Sequence, residues 1–301
     1  MRTLQRIIVG HDLQPGGHLA AQSAMELAER CGAEVKLVHV VEPYAMYQRL
    51  THPLTSTYKT EELVERAGRT LQKLSNDMQS QRSRVEYEVR TGKPFVELII
   101  ARRSWQADLL VVGTRQEDRS RFLGSTGERV ARKAMAPVLV AKQALNEEPK
   151  TIIMPTDFSE CAKKAAQEAL AFIQHFGGRL IFLHALELPS VYAAGYGPAM
   201  GAPPPMPILS PEEIEPEWQA FFADLPALAN MNYEHRAVEG HAISMIGETA
   251  EKQNADLIIM GTHGRTGLGH MLLGSVAEGV VRQAPCSVLT IRPDAMQFVL
   301  P

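Results

Sequence analysis

Gly261-Thr262-His263-Gly264, followed after nine residues by Gly274-Ser275, is the stretch whose residue types and spacing could do chemistry, and that chemistry is phosphate binding. Glycine lets a backbone take positive φ and approach a ligand with no Cβ in the way. Gly274-Ser275 opens the segment Val276 to Arg282, which reads as a helix whose first-turn amides and dipole would face an anion. Ser275 adds a hydroxyl at the same point. The same residues also read as a turn after a strand and a cap before a helix, so spacing alone leaves both open.

The elements that must position this loop are legible around it. Asp256-Leu257-Ile258-Ile259-Met260 is a continuous apolar run of the kind found in buried parallel strands. The order is therefore strand, glycine loop, helix. The chain also repeats itself: Ile7 to Asp12 lines up with Ile152 to Asp157, Gly32 with Gly177, His39 with His184, and Ala107 to Thr114 with Ala255 to Thr262. Two copies of one unit follow, with domains expected over residues 1–142 and 151–301. The first copy reads Gly113-Thr114-Arg115-Gln116 and reaches Gly124-Ser125 after seven residues, so Gln116 replaces the second glycine in a shorter loop. Arg115, Arg119, Arg121, Glu117 and Asp118 crowd that segment. Any nucleotide site is expected in the second copy.

In the second copy, strands are expected over 151–155, 179–185, 232–238, 256–261 and 286–292, alternating with helices over 160–176, 211–230, 241–253 and 275–284. Strict alternation implies an α/β fold with a parallel sheet covered on both faces. Such sheets bind ligands beyond the carboxyl ends of their strands, where the glycine loop would lie. A short polar linker, 143–150, is expected between the copies. Each copy carries an insert after its second strand, 44–60 and 189–216, read as irregular; the latter holds eight of the 19 prolines.

Other residues admit plainer readings. Asp157-Phe158-Ser159-Glu160 also looks like a helix start, with Asp157 capping and Glu160 closing a capping box, and Asp12 is expected to do only this. His39 and His184 read as hydrogen-bonded core residues rather than metal ligands. His11, His18 and His270 form no ligand cluster. With 45% hydrophobic and 22% charged residues, the chain is ordinary globular protein, and a net charge of −3 gives no reason to expect nucleic acid. Three separated cysteines, Cys31, Cys161 and Cys286, and no visible signal peptide or membrane span point to a cytoplasmic protein with reduced thiols. No P-loop, Gly-x-Ser-x-Gly elbow or His-Glu-x-x-His motif is present, so binding is favoured over catalysis.

The spaced glycines, the opening Met154-Pro155-Thr156-Asp157-Phe158-Ser159 and the ending Ala284-Pro285-Cys286-Ser287-Val288-Leu289 together resemble the universal stress protein family in its tandem form. The resemblance covers almost the whole chain. It implies two tandem open parallel five-stranded sheets, strand order 3-2-1-4-5, with helices on both faces, paired within the chain through their last strands, 137–141 and 286–292. It also implies binding of ATP, or ADP or AMP, with Mg2+. Pro155, Asp157 and Ala185 would contact adenine and ribose; Met260 and Gly261 would flank the ribose. Gly264, Gly274, Ser275 and Val276 would hold the phosphates, Ser275 would reach the magnesium, and His263 and Arg265 would neutralise charge. The resemblance favours a nucleotide-dependent stress regulator acting on an unknown protein partner, without membrane insertion, with further pairing of two chains open. A slow ATPase and a nucleotide-independent scaffold are the alternatives.

Overall fold

The computed structural model describes residues 4–43, 53–117, 120–122, 125–145, 151–187, 210–264 and 273–292. The first half runs β1 (Arg6–Gly10), α1 (Pro15–Cys31), β2 (Glu34–Val41), α2 (Pro53–Asp77), β3 (Val85–Thr91), α3 (Pro94–Ser104) and β4 (Leu109–Gly113). A small hairpin, β5 (Arg115–Glu117) and β6 (Ser120–Phe122), then precedes α4 (Ser125–Lys133) and β7 (Val138–Ala141). The second half runs β8 (Thr151–Pro155), α5 (Glu160–Phe176), β9 (Arg179–Leu186), α6 (Glu215–Ala223), β10 (Tyr233–Glu239), α7 (Ala242–Lys252), β11 (Leu257–Gly261), α8 (Ser275–Gln283) and β12 (Ser287–Ile291).

Each half has the expected order, β3-β2-β1-β4-β7 and β10-β9-β8-β11-β12, with parallel neighbours throughout. The two sheets are not separate. β7 pairs antiparallel with β12, Val140 opposite Val288 and Val138 opposite Thr290, making one ten-stranded sheet. This pairing covers the edge that each half would otherwise expose. Side chains of Ile7, Val9, Ile152 and Met154 face one continuous apolar layer under α1, α2, α5 and α6. Those of Ile8, Leu110, Ile153 and Ile258 face a second layer under α3, α4, α7 and α8. Strands buried on both faces must be apolar at every position, which is why they read as unbroken runs.

The inserts differ from the expectation. Residues 53–60 belong to α2, and 211–230 is not one helix but a 3-10 turn (Pro211–Ile214), α6 and a second 3-10 turn (Pro226–Asn230). Pro216 sits at the start of α6, where a missing N–H costs nothing, while Pro226 cannot continue it. Residues 44–52 and 189–209 lie outside the described residues, as does 146–150 of the linker. What precedes 146 is fixed: Leu145 is buried and Gln143 Nε2 donates to Asp256 O.

The join carries a reciprocal device. Lys142, just after β7, is 1% exposed, and its Nζ donates to Arg282 O (3.1 Å) and Ala284 O (2.8 Å) at the end of α8. Arg292, just after β12, donates to Arg132 O at the end of α4. Burial lowers the Arg292 guanidinium to a pKa of about 10, still cationic at neutral pH. Each half thus sends a cation to the carbonyl end of the other's last helix, where the dipole is negative. Outside them, Arg132 bridges Glu128 and Glu278, and Arg282 bridges the same two carboxylates. No helix among the described residues is long and apolar enough to cross a membrane.

Candidate functional site

The site in the second half is built at the carboxyl ends of β8, β9 and β11. Pairing of β8 with β11 stops at Ile153–Ile258, whereas the equivalent pairing of β1 with β4 continues to Gly10–Val112. Pro155 has no N–H to offer a ladder, so these strands diverge sooner, at the point where strand order reverses. Beyond Pro155 the chain is pinned by local bonds. Thr156 N donates to Leu183 O, His184 Nδ1 donates to Thr156 O (2.8 Å), and Thr156 Oγ1 accepts from Phe158 N. His184 is therefore a hydrogen-bonded strand-end residue, and His39 repeats the contact with His11 O.

Phe158 holds a left-handed φ of 63°, a conformation a bulky residue adopts only when its surroundings impose it. Its ring packs 4.6 Å from His184 and 4.8 Å from Trp218. This bend changes the expected cap. Ser159, not Asp157, caps α5 by accepting from Ala162 N, and Glu160 pairs with Lys163. Asp157 Oδ1 accepts from Ser159 N, and Oδ2 faces Gly264 so closely that a Cβ there would lie 2.6 Å from it.

The glycines act by close approach. None of Gly261, Gly264 or Gly274 takes a positive φ, contrary to one of the two reasons expected for them. At Gly261 a Cβ would meet Cys161 Sγ at 2.8 Å and its carbonyl at 3.1 Å, so this glycine serves the packing of α5 on β11. Gly274 N donates to Thr262 O (2.7 Å), closing the loop, and a Cβ on Gly274 would sit 3.2 Å from that oxygen. Gly274 is also the residue before α8 and offers no side-chain cap. The first helical bond is Glu278 N to Gly274 O, so the amides of Ser275, Val276 and Ala277 precede it. Ser275 is exposed, and His263 Nδ1 is 2.8 Å from Thr262 Oγ1.

Of the expected residues, Asp157, His263, Gly264, Gly274 and Ser275 come together around this loop. Pro155, Ala185, Met260 and Gly261 line the strand ends beside it, with Met260 buried and Ala185 half-buried, and Val276 lies in the first turn of α8. Arg265 lies outside the described residues.

The first half is built differently at the same place. Asp12 Oδ1 accepts from Gln14 N and Gly17 N, folding the carboxylate onto the start of α1, as expected. Leu13 repeats the left-handed φ, at 61°. His11 replaces Thr156 and uses its ring Nδ1 to accept from Leu13 N (3.0 Å). Burial, then the neighbouring His18, depresses its pKa to about 4, so it is neutral at pH 7. The hairpin of β5 and β6 stands where the second half has its glycine loop. A cavity of about 730 Å3 opens here, lined by His11, Asp12, His39, Val40, Arg66 and Val112 among others. Sequence reasoning missed it, because it depends on how α2 and α3 pack over the strand ends.

Comparison with known proteins identifies this architecture. A model of the universal stress protein family matches residues 3–142 and again 148–292. The chain belongs to the universal stress protein family. A universal stress protein of Mycolicibacterium smegmatis is 26% identical over 301 residues, covering 95% of this chain and 97% of that protein. Universal stress protein MJ0531 of Methanocaldococcus jannaschii is 34% identical over 148 residues, covering 48% of this chain and 82% of its own length. The crystal structure of a universal stress protein from Archaeoglobus fulgidus is similar with a TM-score of 0.72 at 18% identity, covering 97% of this chain and 99% of that one, a likeness of fold.

Proposed function

We propose that the second half binds an adenine nucleotide, ATP in the first place, and that the bound state alters the surface or pairing of the two halves in a stress response. The observation that carries this reading is the approach of Gly264 to Asp157 beside the open amino end of α8. A Cβ at residue 264 would press on the Asp157 carboxylate and displace it, and amides ahead of the first helical bond supply donors for phosphate. Asp157 would accept from a ribose hydroxyl or base amino group, with Pro155, Ala185 and Met260 against the nucleoside. Gly274, Ser275 and Val276 would hold the phosphates; His263 and Arg265 would balance their charge. The hydroxyl of Ser275 suits a magnesium ion carried by the phosphates, a hard cation that takes oxygen ligands. Magnesium would supply charge neutralisation there.

The same helix offers a route from ligand to partner half. Its amino end faces the proposed phosphates, its Glu278 pairs with Arg132, and its carboxyl end is held by Lys142. The test is to denature purified protein and identify the released small molecules by mass spectrometry. About one adenine nucleotide per chain from the wild type, and none from Gly264→Gln, is the expected result. No nucleotide from either, with no ATP binding on addition, would overturn the reading.

A further inference from the structure

The proposed nucleoside contact depends on which way the Asp157 carboxylate points, and the internal repeat holds both directions in one chain. We infer that Ala162 is a positioning residue for Asp157: its methyl group closes the helix-facing place that Asp12 takes in the first half, and so keeps the carboxylate turned toward the glycine loop. The inference rests on the nucleotide reading of the second half and adds the residue that orients its carboxylate.

In the first half the amide of Gly17 donates to Asp12 Oδ1. A Cβ on Gly17 would lie 2.7 Å from that oxygen and 2.9 Å from Asp12 N, well inside the distance at which such atoms pack. The aspartate folds onto α1 because residue 17 has no side chain. Its counterpart in the repeat is Ala162, which carries the excluded methyl group and is 4% exposed. There the amide of residue 162 goes to Ser159 Oγ, at 3.2 Å, and Asp157 Oδ2 stands toward Gly264. Ser159 supplies another acceptor for that amide, and the methyl group removes the place from which the aspartate could compete.

The seat of the helix follows the same rule. A Cβ on Gly16 would run into Thr114 O, and one on Gly113 into Gly16 O, so backbone lies on backbone where α1 meets the end of β4. In the second half Cys161 stands in place of Gly16, and its Sγ is 2.8 Å from where a Cβ on Gly261 would be. A side chain fills the step between α5 and β11 that the first half leaves to bare backbone. Cys161 Sγ also lies 3.8 Å from Ile291 O, next to the Arg292 that holds α4 of the other half. The start of α5 is therefore bonded to Asp157 through Ser159 N and packed on the join through Cys161.

The experiment titrates ATP with magnesium by calorimetry into the full chain carrying Ser159→Gln, Ala162→Gly or both, following Gln14 and Gly17 of the first half. Ser159→Gln alone removes the cap but leaves the methyl group, so it should lower the melting temperature and change ATP affinity by less than about twofold. The double variant opens the helix-facing place and should bind ATP about tenfold more weakly, as the carboxylate turns away. In an Asp157→Ala background the same two changes should cost nothing further, whereas a general disturbance of the site would still weaken binding. Circular dichroism checks folding. Where the double variant fails to fold, Ala162→Gly alone, which keeps the serine cap, carries the test with an expected loss of about threefold.

Unchanged ATP affinity in the double variant, or in Ala162→Gly where that one carries the test, overturns the inference. So does a loss of about tenfold from Ser159→Gln alone, which would make the cap and not the methyl group the orienting element. A loss that persists without the Asp157 carboxylate overturns it as well. Failure of the wild type to bind ATP is instead the failure of the nucleotide reading.

Discussion

Two aspartates at equivalent positions, Asp12 and Asp157, follow the first strand of each half and precede a residue held at positive φ, yet they do different work. Asp12 turns onto its own helix and bonds the amides of Gln14 and Gly17. Asp157 leaves capping to Ser159 and reaches toward Gly264. The difference originates in neighbours. Gln14, which has no capping hydroxyl, stands where the second half has Ser159, so in the first half the helix start recruits the aspartate. With Ser159 as the cap, the Asp157 carboxylate is turned toward the loop and not onto the helix. Duplicated folds can diverge through such small reassignments of hydrogen bonds while the ten-stranded sheet stays whole.

The comparison is broken most severely at Gly264. Replacing it with Gln, the residue at the matching place in the first half, should weaken ATP binding several hundredfold, about 3.5 kcal/mol, without shifting the melting temperature of ligand-free protein. Calorimetry and differential scanning fluorimetry check these two effects. Next is the join that both halves share. Lys142→Met leaves the carbonyls of Arg282 and Ala284 without their buried donor and should cost about 3 kcal/mol in urea unfolding.

A third effect belongs to the first half alone, because Thr156 in the second has no titrating side chain. The folded pKa of His11, about 4, lies below the ordinary 6.5, so the unfolded chain takes the proton first as pH falls. Its contribution is present in full above 6.5, declines as pH falls through 4, and spans about 3 kcal/mol. His18, Asp12 and His39 are the titratable groups acting on it. Urea titrations from pH 7 to 4 should show this slope in the wild type and a shallower one in His11→Asn. The smallest effect is expected at the partly exposed ion cluster, where Glu278→Gln should cost about 0.5 kcal/mol and less at high salt.

The strands were legible because a parallel strand covered on both faces must be apolar throughout: Ile152 to Met154 and Leu257 to Met260 could be little else. Close approach at the glycine loop was legible in its residue types, although Gly261 owes its identity to Cys161 and not to a ligand. The hairpin strands Arg115–Glu117 and Ser120–Phe122 were not, since all their residues but Phe122 are polar and they are too few to show an alternating pattern. Nor were the crossed caps, whose partners lie at sequence separations of 140 to 160 residues. Their one signal was a cation immediately after the last strand of each repeat, Lys142 after Ala141 and Arg292 after Ile291, where an apolar run ends.

The central claim is that the two halves of one sheet keep one polyphosphate site between them. Calorimetric titration of wild-type protein with ATP and magnesium tests it most directly. The account predicts one ATP per chain, abolished by Gly264→Gln. Two ATP per chain, or one that survives Gly264→Gln, would contradict it.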